Sequence, residues 1–288
     1  MPNTSKISAL LHLIRFDRPI GTLLLLWPTL SALWVAAQGK PSAYLLVIFV
    51  LGTFLTRSAG CVINDYADRN IDGDVTRTQS RPLVMGRITE REALVFFAVL
   101  MLLAFALVLF TNTLTIQLSV VAVALAYLYP FMKRYTHLPQ VVLGAAFSWG
   151  IPMAFAAQTQ ALPADLWWLF AANLLWTVAY DTQYAMVDRE DDIRIGMKST
   201  AILFGHYDRL IIALLQIAVV ACLYQFGQAF ELGMVFNVSL LAVAALFVHH
   251  QYLIRNRDPQ SCFRAFLHNN WVGACFFAGI AIHYLSTT

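Results

Sequence analysis

Two acidic motifs hold the residues best suited to chemistry in this 288-residue chain. The first is Asn64-Asp65-Tyr66-Ala67-Asp68-Arg69-Asn70-Ile71-Asp72; the second runs from Tyr180-Asp181 to Asp188-Arg189-Glu190-Asp191-Asp192. In helical register Asp65, Asp68 and Asp72 fall at i, i+3 and i+7, and Asp181, Asp188 and Asp192 at i, i+7 and i+11, so each set forms one stripe. Carboxylates on one stripe repel one another unless a cation sits among them. Hard oxygen donors with open positions suit Mg²⁺, which is usually held by one or two carboxylates and completed by substrate phosphates. The chemistry expected is therefore a Mg²⁺-bridged diphosphate between two Asp clusters. Arg77 and Arg81 follow the first cluster, Arg194 and Lys198 the second, all placed to take phosphate oxygens. A charge run at a helix end is most often a solvated cap. What sets these runs apart is recurrence: Asp68 with Asp72 and Asp188 with Asp192 repeat one DxxxD spacing 120 residues apart.

The elements that must position them are membrane helices. The chain is 59% hydrophobic and 12% charged, against about 25% charged for a soluble domain. Reading for apolar blocks of about 20 residues gives nine spans, at 20–37, 43–66, 92–111, 113–131, 139–157, 165–187, 208–228, 232–253 and 268–286. The chain reads as one all-α integral membrane domain over residues 1–288. All 19 Lys and Arg fall on one side except Lys40, on the other, and Arg57, inside a span. Loops retained in the cytoplasm are enriched in Lys and Arg, which puts the N-terminus and the connections after even-numbered spans in the cytoplasm and the C-terminus in the periplasm. The two long cytoplasmic connections, 67–91 and 188–207, carry the acidic motifs. Each motif closes an even-numbered span, which reads as a weak repeat of spans 1–4 in spans 5–8 with one span added. Pro19 and Pro28 against Pro139 and Pro152 fit that offset loosely, and duplication would bring both clusters to one pocket.

Residues 1–18 lack the pattern of a cleaved signal peptide. Cys61, Cys222, Cys262 and Cys275 are scattered without a CxxC pair, so they read as packing residues. A net charge of +3 is too mild to argue for nucleic acid. Arg57 lies about two turns before Asn64 on nearly the same face and would be costly facing lipid; a structural pairing with another helix is the alternative use for it.

The segments NDYADRNID, RTQSRPL, KRYTHLPQVVLGAAFSWGIPMAFAA and YDTQYAMVDREDDIRIGMKSTAILFG resemble the UbiA superfamily of intramembrane aromatic prenyltransferases. The resemblance is closest to its bacterial branch that prenylates 4-hydroxybenzoate for ubiquinone, in the inner membrane. It implies nine helices around a central cavity and transfer of a polyprenyl group from its all-trans diphosphate to the ring carbon ortho to the hydroxyl, with diphosphate released. It further implies one metal at Asn64, Asp68 and Asp72, a second at Asp188 and Asp192, and Asp65 and Asp181 either on metal or behind those ligands. Metal and cationic side chains would stabilise charge on the departing diphosphate, and a membrane cavity would keep water from the allylic cation. Asp188 is the candidate base for the phenol. Arg134, with Arg57 as the alternative, is the candidate partner for the acceptor carboxylate; Lys133 and Arg134 also read simply as topology-setting charges. Open at this point are a naphthoate, homogentisate or porphyrin acceptor, the prenyl length and the oligomeric state. Of other classes, a transporter would carry its acidic residues near the bilayer midplane, and a phosphatidyl-alcohol transferase would show a DG pair together with an AR pair before its aspartates, a combination missing here.

Overall fold

The computed structural model describes residues 5–287; the terminal residues 1–4 and 288, whose sidedness the charge pattern addresses, lie outside the described part. Among the described residues there are helices and no strand. In chain order they are α1 (Lys6–Leu13), α2 (Ile20–Ala36), α3 (Ala43–Asp68), α4 (Glu90–Val108), α5 (Thr113–Tyr135), α6 (Pro139–Ser148), α7 (Gly150–Thr159), α8 (Leu166–Ala185), α9 (Arg189–Ile195), α10 (Thr200–Phe204), α11 (Asp208–Ala229), α12 (Met234–Leu253) and α13 (Pro259–Thr287).

Seven helical stretches are long and apolar enough to cross a membrane: Ala43–Asp68, Glu90–Val108, Thr113–Tyr135, Pro139–Thr159, Thr200–Ala229, Met234–Asn256 and Pro259–Thr287. The chain is thus a multi-pass membrane protein. Ile20–Ala36 is apolar but shorter, and Leu166–Ala185 carries Asn173, Asp181 and Gln183, which lower its hydropathy.

Two expected blocks differ in detail. The block at 139–157 is two ten-residue helices meeting at Trp149. Pro152 lacks an N–H for the Ser148 carbonyl and its ring crowds that carbonyl, which interrupts the helix. The last helix begins at Pro259, nine residues before the expected start. Asp258 Oδ2 accepts from the Ser261 N–H at 2.9 Å, Pro259 suits a first helical position, and further along the helix Asn269 and Asn270 turn inward. Asn269 accepts from Trp176 Nε1 at 2.8 Å and donates to Gln183 Oε1 at 2.9 Å, while Asn270 accepts from Trp27 Nε1 at 2.9 Å. Such bonds tie helices together where apolar burial alone does not drive association.

The main core gathers Leu166, Leu169, Ala172, Trp176 and Tyr180 of α8 with Phe155, Phe226, Phe236 and Phe276. Spacings of three and four put the α8 residues on one stripe. A second cluster packs Ala9, Leu13 and Ile14, around the unforeseen helix α1, against Ala59 and Val62 of α3 and Ala93 and Leu100 of α4. It fixes the acidic end of α3.

Candidate active site

The stripe expected for the first motif is not one continuous helix. α3 ends at Asp68, and Asp72 opens a short 3-10 turn, Asp72–Asp74; Asn70, Gly73 and the clustered Asp residues are poor helix formers. α8 likewise ends at Ala185, and Asp188 is the N-cap of α9, which carries Asp192. The carboxylates of each motif converge through turns instead of through helical register.

Cations of the chain itself sit among them. Asp65, fully buried, pairs with Arg15 Nη2 at 2.7 Å and Arg81 Nη1 at 3.1 Å. Arg81 also donates to Asp72 Oδ2 at 2.5 Å. Lys133 pairs with buried Asp68, and Arg134 stands 3.8 Å from the same carboxylate while donating to the Ala67 carbonyl. Basic groups from the end of α5 thus cover the last carbonyls of α3, where the helix dipole favours positive charge.

The two loops meet. Arg77 Nε lies 3.0 and 3.1 Å from the two Asp188 oxygens, with Nη2 closing a fork, and its guanidinium stacks 4.6 Å from the Tyr184 ring centre. The Thr76 N–H donates to Asp191 Oδ2 at 3.1 Å; Arg194 Nη2 bridges Asp191 Oδ1 and the Asp74 carbonyl, each at 2.7 Å. Both acidic motifs therefore end at one place. Burial, with Asp188 next, pushes Asp192 up to about 6; burial also raises Asp72 from its ordinary value, against the pull of Arg81. Burial opposes the Arg77 charge, but Tyr184 and Asp188 outweigh it and hold the guanidinium above its ordinary value.

A cavity of about 850 Å³ opens beneath this junction, lined by Asn64, Asp65, Arg77, Arg81 and Asp181 at one end and by Phe49, Met101, Phe105, Trp149 and Met153 among others. Arg57 also lines it. Its guanidinium rests against Gly21, where a Cβ would collide with it, and its buried Nη1 has no hydrogen-bond partner. The other acceptor candidate, Arg134, is turned to α3 and stands 5.8 Å over Phe131. Lys198 donates to the Tyr135 carbonyl at 3.3 Å, so it and Arg194 are engaged with the chain itself. Arg15, with Arg18 beside it, was missed from sequence, where both read as topology charges; Arg15 takes a left-handed backbone (φ 58°) and lines the cavity.

Among the described residues no group of three or more His, Cys, Asp or Glu side chains is arranged to hold a metal ion. The donors nonetheless suit a hard divalent cation: they are oxygens throughout, and Asp65 Oδ2 and Asp68 Oδ1 are buried without a hydrogen-bond partner, a cost that a cation would relieve.

Behind the second loop, fully buried Asp208 accepts from Arg257 Nε at 2.9 and 3.0 Å and Nη2 at 2.7 Å, and from Arg189 Nη1 at 3.3 Å. Sequence reading left this anchor unassigned, since only the fold brings positions 189, 208 and 257 together. Asp208→Ala is expected to destabilise the protein by about 3 kcal/mol, the low end for breaking a buried pair because both arginines keep some solvent. A thermal melt in detergent checks this; an unchanged midpoint would refute the anchor.

The chain matches the UbiA prenyltransferase family over residues 25–277. It is 60% identical over 286 residues, 99% of this chain and 96% of the relative, to the 4-hydroxybenzoate octaprenyltransferase of Saccharophagus degradans. Its fold superposes on the apo structure of a UbiA homolog from Aeropyrum pernix with a TM-score of 0.79 at 25% identity, covering 90% of this chain and 97% of that one. A UbiA homolog from Archaeoglobus fulgidus bound to GPP and Mg²⁺ gives a TM-score of 0.75 at 20% identity, covering 96% and 100%.

Proposed function

The chain belongs to the UbiA prenyltransferase family, and from that premise we propose how it works as a 4-hydroxybenzoate polyprenyltransferase. It transfers a polyprenyl group from the all-trans diphosphate to the carbon ortho to the acceptor hydroxyl, releasing diphosphate, as in ubiquinone biosynthesis. The observation that carries the mechanism is the joining of both acidic motifs, through Arg77 and Asp188, at one end of a single largely apolar cavity.

Arg77, Arg81 and Arg15 take the diphosphate oxygens, exchanging part of their pairing with Asp188, Asp72 and Asp65 for charge-assisted bonds to the donor. Asn64, Asp68 and Asp72, and Asp188 with Asp192, would hold Mg²⁺, with Asp65 and Asp181, which line the cavity, beside them; the bound metal would supply Lewis-acid stabilisation of the leaving group. Arg194 and Lys198 hold the second loop and add positive field at the same end. The prenyl C–O bond breaks with its electron pair leaving on diphosphate, and the ring carbon attacks the allylic carbon. Asp188 takes the phenol proton, and after the attack the hydrogen on the alkylated ring carbon passes to the ring oxygen as aromaticity returns, so the acceptor loses one proton overall. The apolar walls exclude water meanwhile.

Arg57 binds the acceptor carboxylate, because it is the cavity-lining arginine with an unsatisfied buried N–H; Arg134 keeps the end of α3. A charge-assisted bond is worth about 1.5–3 kcal/mol, so Arg57→Gln is expected to raise the acceptor KM by about 10- to 100-fold with the donor KM little changed. Steady-state kinetics on purified protein check this, and an unmoved acceptor KM would overturn the assignment.

The reading also includes nine membrane crossings, with the shorter α2 and the polar α8 completing the seven apolar stretches, two related four-helix units and a last helix. The Lys and Arg asymmetry supports an inner-membrane orientation with the N-terminus and both long loops in the cytoplasm and the C-terminus in the periplasm. A transporter reading is disfavoured because the carboxylates cluster where α3 and α8 end.

A further inference from the structure

We infer that Gly52 and Gly60 of α3 are kept small to pass the donor's hydrocarbon chain, Gly60 near the diphosphate and Gly52 deeper, so that Gly52 governs how long a prenyl chain the enzyme accepts. A glycine inside a helix costs about 0.5–1 kcal/mol relative to alanine, so a helix that keeps one has a use for it. At Gly21, Gly150, Gly227, Gly273 and Gly279 the use is packing: a Cβ would collide with Arg57, Thr29, Phe236, Trp27 and Ser239 respectively. Around Gly52 and Gly60 nothing stands within 4 Å of where the Cβ would be, and neither has the positive φ that would require glycine. No neighbour and no backbone strain accounts for either residue. Both line the cavity, as does Arg57 between them on the same helix.

The space is therefore reserved for something outside the chain. Its walls include Ile48, Phe49, Met101 and Phe105, which suit hydrocarbon. At 1.5 Å per residue, Gly60 lies about 6 Å along the helix from Asn64 and Gly52 about 18 Å, so a linear tail fixed by its diphosphate at the acidic end meets Gly60 before Gly52.

This inference rests on the donor reading above, and two donors separate the two claims. Gly52→Leu and Gly60→Leu, each with a Gly→Ala companion to keep the comparison if leucine prevents folding, are assayed with geranyl and octaprenyl diphosphates. In Gly52→Leu the octaprenyl-to-geranyl ratio of kcat/KM is expected to fall at least about tenfold, a steric penalty typical of overpacking; Gly60→Leu is expected to lose both donors together. Alanine at Gly52 is expected to shift the ratio in the same direction by less. An unchanged ratio in both Gly52 variants would overturn the inference while leaving the donor reading intact. A wild-type protein that turns over neither donor would overturn both.

Discussion

Replacing Asp188 by asparagine is expected to leave an inserted, folded protein whose prenyl transfer is slower by about 10²- to 10³-fold, the usual loss when one preorganised electrostatic group is removed from a transition state. The shape is kept; the charge is not. Arg77 would lose the carboxylate it grips at 3.0 and 3.1 Å, and the second motif would lose both a cation ligand and the candidate base. Because Asp188 caps α9 without a side-chain hydrogen bond to the helix, asparagine satisfies the same backbone position; the lost pairing with Arg77 lowers stability, so a melt is run beside the kinetics, and the loss is expected in kcat of the folded protein. Near-normal turnover would sink the two-cluster mechanism. Asp68→Asn tests the other motif, but Asp68 is buried against Lys133, so that variant also needs a melt before its kinetics are read.

Withdrawing the divalent cation is expected to have a comparable effect. A bound cation contributes several kcal/mol to a phosphoryl leaving group, and each 1.36 kcal/mol is tenfold in rate, so excess EDTA should lower transfer by about 10²-fold or more. Added Mg²⁺ should restore it. The chain's own cations separate this loss from a structural one: Lys133, Arg81 and Arg77 already pair with Asp68, Asp72 and Asp188, so the protein is expected to stay folded in chelator. Full activity in chelator would contradict the metal role.

Much of this site was legible in the sequence because it depends on local pattern. Two DxxxD motifs closing apolar blocks pointed to the place where the two loops meet, and the repulsion among their carboxylates called for cations. What could not be read locally was which cations answer. Arg15 reaches Asp65 across fifty residues, and Arg77 reaches Asp188 across 111; such pairings are properties of the bundle. Helical register was extended too far, through Asn70 to Asp72 after α3 and past Ala185 after α8, where turn formers and capping won over the stripe. The apolar test for spans missed the start of α13 because its first turns carry Pro259, Gln260, Ser261 and Arg264, which break the apolar block. The proposed preference for Arg57 over Arg134 rests on a buried Nη1 without a partner, which no local pattern shows.

The most direct measurement is product analysis on the purified protein in lipid, supplied with Mg²⁺, octaprenyl diphosphate and a panel of aromatic acids. The account predicts one prenylated product, 4-hydroxybenzoate alkylated ortho to its hydroxyl, with one diphosphate released per product. Preferential prenylation of a naphthoate or homogentisate, or release of diphosphate without a carbon–carbon bond to 4-hydroxybenzoate, would contradict it.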